Sequence, residues 1–185
     1  MKLELLKKQL SPKRYQHSLR VAELASCYAP RIGVDPQKAY LAGLLHDCAH
    51  ELAPEVLLQK CLEFGIVIGN IERKNPFLLH GPVGSQLAKR DYGIEDPAVL
   101  AAIAEHTTGK PGMGKLSRIV CLADYVEPGR TFSGVEKIRA LAEENLDLAL
   151  LRALENTIAY LLAEERLIHP LTILTRNWLL EEVRP

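Results

Sequence analysis

Histidines and aspartates at a few positions of this chain could together bind a metal ion. His46 and Asp47 are adjacent at the end of an apolar stretch, with an isolated His17 before them and an isolated Asp124 after them. Their imidazole nitrogens and carboxylate oxygens can converge on one divalent metal, and this donor set suits Mn, Fe, Zn or Ni better than a thiolate-preferring metal. An open coordination position would hold a water and make it a nucleophile near neutral pH. The pattern therefore predicts a metal-dependent hydrolase.

Each of these residues also has a plainer interpretation. Asp124 could face solvent or pair with an arginine, and His17 could be an ordinary core or surface histidine. His46 could complement the C-terminal dipole of a helix that Asp47 ends. However, an apolar run over residues 41–45 leads straight into His46, and Asp124 stands among Ile, Val, Cys, Leu and Ala. Because an unpaired carboxylate is costly to bury, these surroundings favour a metal site.

Two further histidines follow apolar runs. His80 comes after Phe-Leu-Leu at a predicted helix start, and His106 ends an alanine-rich predicted helix. His50 and His169 are interpreted as ordinary loop or helix-end residues. Four of the six histidines thus stand beside apolar runs and are candidates for a buried site.

The elements that would position these residues are predicted to be helices. Leu151, Leu154, Ile158 and Leu162 are spaced so that they share one helical face. Helix starts are marked by a residue followed by proline, at Ser11-Pro12, Asp35-Pro36, Ala53-Pro54 and Asp96-Pro97. Helix ends are marked by Gly33, Gly65 and Gly93. The pattern predicts helices over residues 2–9, 12–29, 36–48, 54–64, 70–77, 81–92, 97–107, 114–127, 134–144, 146–167 and 171–182.

Strand signals are weak along the whole chain. The apolar triplet at residues 66–68 is too short to build a sheet, and there is no internal repeat or low-complexity linker. The segment 108–114 is the longest irregular stretch, rich in glycine and proline, and such loops often display binding groups. We therefore expect an all-α fold with a single domain over residues 1–185.

Composition limits the partners and the compartment. The chain has 23 basic and 23 acidic residues, a balance that argues against nucleic acid as the main partner but allows a small anionic substrate. No segment is apolar enough to span a membrane, and the start lacks a signal-peptide pattern. The four cysteines have no CxxC spacing, which is typical of reduced thiols in a cytoplasmic protein.

The residues above carry a resemblance to a known family. His17, then His46-Asp47, then Asp124 resembles the H…HD…D signature of the HD-domain metal-dependent phosphohydrolases. Leu-His-Gly-Pro around His80, Glu-His-Thr-Thr-Gly around His106, and Ala-Asp-Tyr-Val-Glu-Pro-Gly-Arg from residue 123 are similar to the YqeK family, HD-domain hydrolases that cleave diadenosine tetraphosphate symmetrically. The similarity runs from about residue 11 to about residue 139. Just before Asp124 the family more usually has Leu-Asp-Lys where this chain has Leu-Ser-Arg, at residues 116–118.

The resemblance implies an all-α HD-domain fold with two divalent metal ions, iron or manganese. It implies that His17, His46, Asp47 and Asp124 bind one metal. It implies that His80 and His106 bind the second, with Asp47 as the catalytic residue that bridges both. Two metals a few ångströms apart can clamp the attacking and leaving oxygens of a phosphoryl displacement.

A tetraphosphate substrate requires cations or N–H groups to neutralise its charge. Arg130 is the main candidate for a catalytic contact, because its motif is specific. The candidate substrate-binding residues are Arg20, Lys74, Thr107, Thr108, Gly109, Lys110 and Arg130. Each of the cations among them could instead be a solvated surface residue.

Several alternatives remain open from the sequence. The enzyme could be another HD-domain phosphohydrolase that acts on a nucleoside monophosphate or a cyclic nucleotide. It could also be a non-catalytic nucleotide-binding regulator, or a structural metalloprotein with a closed ligand shell. We expect a nucleotide as the small-molecule partner and neither nucleic acid nor a membrane, and a homodimer is possible.

Overall fold

Helices form all of the regular structure in the part of the chain that this computed structural model describes, residues 3–183. The α-helices of these residues are α1 (Leu3–Gln9), α2 (Pro12–Tyr28), α3 (Pro36–Leu45), α4 (Pro54–Phe64), α5 (Asn70–Lys74), α6 (His80–Tyr92), α7 (Pro97–Glu105), α8 (Lys115–Val126), α9 (Val135–Glu144), α10 (Leu146–Ala163) and α11 (Pro170–Val183). Two short 3₁₀ helices cover Ala29–Ile32 and Pro76–Leu79. The all-α prediction is confirmed. The predicted helix start at residue 2 lies outside the described residues.

The helix starts and ends follow the predicted signals. At Ser11, Asp35 and Asp96 the side-chain oxygen accepts a hydrogen bond from a backbone N–H two or three residues ahead, and proline occupies the first helical position. The start at Ala53 has the proline but no side-chain cap. The predicted end glycines adopt left-handed backbone angles, with φ of 71°, 67° and 72° at Gly33, Gly65 and Gly93. Such angles are favourable for glycine because it has no Cβ.

Three predicted helices end differently, each for a local reason. Helix α3 ends at Leu45 rather than 48, and His46 and Asp47 lie in the turns that follow. The predicted helix 70–77 is divided before Pro76, because a residue that precedes proline avoids the helical conformation. Helix α10 ends at Ala163 rather than 167, and Glu165 beyond it has a positive φ of 51°. The turns after α3 are the ones that matter for the site.

Helices α2, α3, α7 and α8 pack on one another, with α6 against α7. At the α2–α3 crossing, a Cβ on Gly43 would lie 2.8 Å from the Cα of Ala22, so only glycine allows this approach. Ala22 and Ala42 are fully buried nearby. This close crossing brings the middle of α2 against the end of α3, and so places His17 beside His46.

Helices α9, α10 and α11 form the other side of the molecule, with α10 packed against α8. Leu151 and Leu154 of the predicted apolar face are buried, whereas Leu162, near the end of α10, is 64% exposed. The apolar face of α10 is therefore buried along its earlier turns and exposed to solvent in its last turn. Within residues 3–183, none of the helices combines the length and the apolar character that crossing a bilayer requires.

Candidate metal centre

The six predicted metal ligands converge from five helices. His17 comes from the middle of α2, His46 and Asp47 from the turn after α3, His80 from the start of α6, His106 from the end of α7 and Asp124 from α8. The four histidines and Asp47 are at most 5% exposed, and the Asp124 side chain is 23% exposed. The arrangement is a buried group of donors in which Asp124 is the most exposed member.

The first ligand cluster consists of His17, His46, Asp124 and the Oδ2 atom of Asp47. His17 Nε2 lies 3.0 Å from Asp124 Oδ1 and 3.6 Å from Asp47 Oδ2. His46 Nε2 lies 3.3 Å from Asp47 Oδ2 and 3.8 Å from Asp124 Oδ1. Two nitrogens and two oxygens therefore surround one point.

The second ligand cluster consists of His80, His106 and the Oδ1 atom of Asp47. Asp47 Oδ1 lies 3.3 Å from His80 Nε2 and 3.6 Å from His106 Nε2, and the two nitrogens are 2.9 Å apart. Asp47 thus directs one carboxylate oxygen to each cluster. This is the arrangement that a bridging carboxylate requires.

The donor atoms fit a metal ion. The Nε2 atoms of His17 and His46 are buried and have no hydrogen-bond partner, although buried polar atoms are normally paired. Ligand atoms about 2.1 Å from one metal lie roughly 3 Å apart when they are adjacent, and the distances above are close to that spacing. Three groups of three of these residues have ligand atoms that all lie within 4.8 Å of one another. A bound cation would satisfy both unpaired nitrogens.

The other ring nitrogen of each histidine is held by an acceptor. Nδ1 donates to the carbonyl three residues earlier in His46 (2.6 Å), His80 (2.6 Å) and His106 (2.8 Å). In His17, which lies within a helix, Nδ1 donates instead to Glu127 Oε1 at 3.0 Å. Because each Nδ1 is engaged in this way, Nε2 is the ring nitrogen that faces the centre and would bind a metal.

The carboxylates of the site are held in their ionised form. Burial raises the pKa of Asp47, but His46 and the hydrogen bonds of His106 and His80 outweigh it and bring the pKa well below its usual range. Arg14 Nη1 also donates to Asp47 Oδ2 at 2.9 Å. The pKa of Asp124 is likewise lowered, because its contacts with His17 and nearby charges exceed the effect of burial. Metal ligands must be deprotonated, so this electrostatic setting favours binding.

A cleft of about 460 Å³ lies beside the first ligand cluster and reaches His17. It is lined by four cationic residues, Lys13, Arg14, Arg20 and Arg130, and by two carboxylates, Glu51 and Glu127. Because cations outnumber carboxylates, we call it the basic cleft. Lys13 and Arg14 were not among the predicted site residues. The available signal was that Arg14 lies three residues before His17 and therefore on the same side of a helix.

Two predicted substrate-binding arginines line the basic cleft but are already paired. Arg130 Nη2 donates to Asp124 Oδ1 at 2.6 Å, and its Nε donates to the Asp124 carbonyl at 2.9 Å. Arg20 binds both oxygens of Glu127. Thr107, also predicted, lies at the second ligand cluster, with its hydroxyl 3.1 Å from His106 Nε2 and 3.3 Å from His80 Nε2.

The remaining predicted substrate residues lie elsewhere. Thr108, Gly109 and Lys110 line a separate cavity of about 210 Å³. Gly109 has a φ of 68°, and a Cβ there would lie 2.6 Å from the Thr175 side chain, so packing accounts for this glycine. Lys74 is exposed at the end of α5, and neither it nor this trio lines the basic cleft as described for residues 3–183.

Arg118 and His50 have structural partners. Arg118 stacks over Trp178 at 4.6 Å and donates to Asp147 at 2.8 Å, so it joins α8 to α11 and α10. His50 packs edge-on against His80 with ring centroids 5.3 Å apart, and burial lowers the pKa of His50 to about 4. His50 is therefore a neutral neighbour of the second ligand cluster rather than an ordinary loop residue.

Known proteins share both the sequence and the shape of this chain. Residues 14–129 match the family described as the HD domain. The chain is 38% identical to the symmetrical bis(5'-nucleosyl)-tetraphosphatase of Bacillus subtilis (strain 168), over 96% of this chain and 95% of that protein. It is 42% identical to the protein of the same name from Halalkalibacterium halodurans, over 97% and 96%.

A solved structure agrees with these matches. The crystal structure of a "predicted HD superfamily hydrolase involved in NAD metabolism" from Clostridium acetobutylicum superposes with a TM-score of 0.94 and 42% identity, over 97% of this chain and 95% of that one. The matched HD-domain region contains all six converging ligands. The chain therefore belongs to the HD-domain family and, within it, to the group of the symmetrical bis(5'-nucleosyl)-tetraphosphatases.

Proposed function

We propose that this protein hydrolyses dinucleoside tetraphosphates, with diadenosine tetraphosphate as the reference substrate, symmetrically to two nucleoside diphosphates. One water adds across the central phosphoanhydride bond, so that one ionised substrate (charge 4−) and one water yield two nucleoside diphosphates (charge 3− each) and two protons. The observation that carries the proposal is the buried His/Asp centre beside a cleft lined by four cations. Relatives that match over nearly their whole length are named for this activity.

We further propose two divalent transition-metal ions, iron or manganese, one at each ligand cluster. When bound, they would lower the pKa of a coordinated water and neutralise charge on phosphate oxygens. The unpaired Nε2 atoms of His17 and His46 support the first site. For the second, the 2.9 Å approach of His80 Nε2 to His106 Nε2 requires a cation or a shared proton between them. The metal content of the purified protein distinguishes these two states.

The residues of the basic cleft would bind and orient the phosphate chain. Arg130 and Arg14 each contact a carboxylate of the first ligand cluster and also line the cleft, so a phosphate oxygen between cluster and cleft would meet both. Guanidinium groups suit this task because they stay charged and can bind two oxygens at once. Thr107 would add a hydroxyl at the second ligand cluster.

The other expectations stay predictions. They are a single domain over residues 1–185, substrate contacts from Lys74, Thr108, Gly109 and Lys110, a possible homodimer, a cytoplasmic location, and the absence of nucleic-acid and membrane partners. Substrate contacts from Thr108, Gly109 and Lys110 would require the substrate to extend to the cavity of about 210 Å³ that these residues line.

The test is to incubate metal-loaded protein with diadenosine tetraphosphate and to separate the products by ion exchange. We expect two equivalents of ADP and nothing else, with no turnover by His46→Ala. AMP together with ATP would contradict symmetrical cleavage. Faster turnover of a nucleoside monophosphate or a cyclic nucleotide would favour the alternative hydrolase, and binding without turnover would favour a regulator.

A further inference from the structure

Glu127 is a buried carboxylate beside the first ligand cluster that does not belong to it. The residue is 2% exposed and lies at the end of α8, three residues after Asp124. The Arg20 guanidinium pairs with its carboxylate, so the charge of Glu127 is compensated inside the protein.

Three residues donate hydrogen bonds to this carboxylate. Oε1 accepts from His17 Nδ1 at 3.0 Å and from Arg20 Nη2 at 3.2 Å. Oε2 accepts from Arg20 Nε at 2.5 Å and from the Gly129 N–H at 2.5 Å. With both oxygens occupied in this way, Glu127 is a partner of a ligand rather than a ligand itself.

The Glu127 carboxylate provides the acceptor for Nδ1 that the position of His17 within α2 does not provide. The other three histidines donate Nδ1 to a carbonyl three residues earlier, at the end or start of a helix. His17 lies in the middle of α2, where carbonyls are used by the helix itself. An acceptor must therefore come from another element, and the end of α8 supplies it.

The position of Arg20 depends on the same contact. Arg20 lies three residues after His17 on α2 and uses two of its nitrogens on Glu127. A Cβ on Gly129 would lie 2.6 Å from Arg20 Nη2, so the guanidinium packs directly over this glycine. Arg139 donates to the Glu127 and Arg130 carbonyls and fixes the same turn from α9.

We infer that Glu127 is a positioning residue that orients His17 for metal binding, and that the main role of Arg20 is to hold Glu127 in place. The inference rests on the metal centre of the proposed function but does not depend on the substrate. Arg20, which was predicted from the sequence to contact the phosphate chain, would then act on Glu127 instead.

Zinc binding to metal-stripped protein, measured by competition with a chromogenic chelator, tests the inference without any substrate. Glu127→Ala should weaken zinc binding by about 10- to 100-fold, the effect of losing a partner of a histidine ligand. Glu127→Gln, which keeps an acceptor for Nδ1, should lose less. Arg20→Ala should lose less than Glu127→Ala, and adding Arg20→Ala to Glu127→Ala should cause no further loss, because Arg20 acts through Glu127.

A matched control uses a carboxylate–arginine pair far from the site. Arg176 Nη2 donates to Glu155 Oε1 at 2.6 Å between α11 and α10. Glu155→Gln and Arg176→Ala remove a similar pair but touch no histidine, so their zinc affinity should equal that of the wild type. If Glu155→Gln and Arg176→Ala lost as much zinc affinity as the Glu127 and Arg20 variants, the Glu127 effect would be a general loss of stability. That result would overturn the inference.

Proton NMR of the zinc-loaded protein gives a direct readout. The His17 Nδ1–H should appear as a slowly exchanging low-field resonance in the wild type and disappear in Glu127→Ala. The corresponding resonances of His46, His80 and His106 are internal standards that should remain. Persistence of the His17 resonance in Glu127→Ala would overturn the role of Glu127.

Kinetics at saturating metal then decide the role of Arg20. An increased KM in Arg20→Ala with wild-type zinc affinity would overturn its positioning role and favour a phosphate contact. The whole inference would be overturned if Glu127→Gln, Glu127→Ala and Arg20→Ala all kept wild-type zinc affinity and an unchanged His17 resonance. Absence of tetraphosphate hydrolysis in the wild type would contradict only the proposed function.

Discussion

At the scale of single residues, the site depends on which atom each side chain presents. The four histidines present Nε2 because Nδ1 is engaged, by a backbone carbonyl in three cases and by Glu127 in the fourth. Asp47 presents Oδ2 to the first ligand cluster and Oδ1 to the second. The loss of Asp47 should therefore affect more of the site than the loss of any one histidine.

Asp47→Ala should abolish hydrolysis of diadenosine tetraphosphate, whereas His80→Ala should retain measurable activity when metal is added back. The reason is that His80 serves one cluster, while Asp47 serves both and supplies negative charge that would balance the charge of the bound metals. Steady-state rates and metal content of both variants measure this difference. Comparable residual rates in the two variants would remove the bridging role.

Arg130→Ala should lower kcat/KM by roughly ten- to a hundred-fold, because a charge-assisted contact to phosphate contributes about 1.5–3 kcal/mol. Metal content should stay at the wild-type level, since Arg130 contacts the ligand Asp124 but is not itself a ligand. Arg130→Lys should recover only part of the activity, because an ammonium cannot bind two oxygens in one plane. Wild-type kcat/KM in Arg130→Ala would show that the pairing with Asp124 is its whole role.

At the scale of helices, the distance between α2 and α3 decides whether His17 reaches His46. Their rings lie with centroids 5.3 Å apart, next to the crossing where Gly43 meets Ala22. The atoms nearest to a Cβ on Gly43 would be backbone atoms of Val21 and Ala22. Backbone atoms cannot move aside as the end of a flexible side chain can. The crossing is therefore a sensitive point for both stability and metal binding.

Gly43→Ala should lower the free energy of unfolding by about 1–3 kcal/mol, the cost of overpacking a filled interior, even though alanine favours a helix more than glycine does. Zinc affinity should fall with it, because α2 must move away from α3. Gly114→Ala is the control: a Cβ there meets nothing within 4 Å, and the change should shift stability by less than about 1 kcal/mol. Equal stability of Gly43→Ala and the wild type in urea unfolding would contradict this account.

At the scale of the whole molecule, the metal centre links elements that are distant in the chain. Its ligands range from His17 to Asp124, and α2, α3, α7 and α8 pack around it. The core near the centre buries unpaired imidazole nitrogens that a cation would satisfy. Metal binding should therefore act on global stability as well as on catalysis.

Adding a divalent metal to chelator-treated protein should raise the melting temperature in proportion to the logarithm of its concentration. At a hundredfold excess over Kd the gain is about 2.7 kcal/mol, which corresponds to roughly 5–10 °C for a chain of this size. His46→Ala should lose most of this shift, because it removes a ligand of the first cluster. Differential scanning calorimetry with and without metal measures the shift, and an equal shift in His46→Ala would place the metal elsewhere.

The helical fold and the group of His/Asp residues that converge in it could be predicted from the sequence. Periodic apolar residues, capping residues followed by proline and glycine stops are local signals, so they predict helix starts and many helix ends within a few residues. The six converging His/Asp residues were identifiable as candidate metal ligands because ionisable groups beside apolar runs need partners once they are buried. The helix ends at residues 48 and 167 were wrong, because a turn at His46 and a positive φ at Glu165 interrupt the periodicity.

The contacts of the charged residues around the candidate ligands could not be predicted from the sequence, because they depend on tertiary packing. Whether Arg20 faces a phosphate or Glu127 depends on how α2 meets the end of α8, which no local pattern encodes. The same is true of Arg14, which reaches Asp47 across 33 positions of the chain, and of Gly109, whose neighbour is Thr175 on α11. Charged side chains that look equivalent in sequence differ in function because their partners come from elements that meet only after folding.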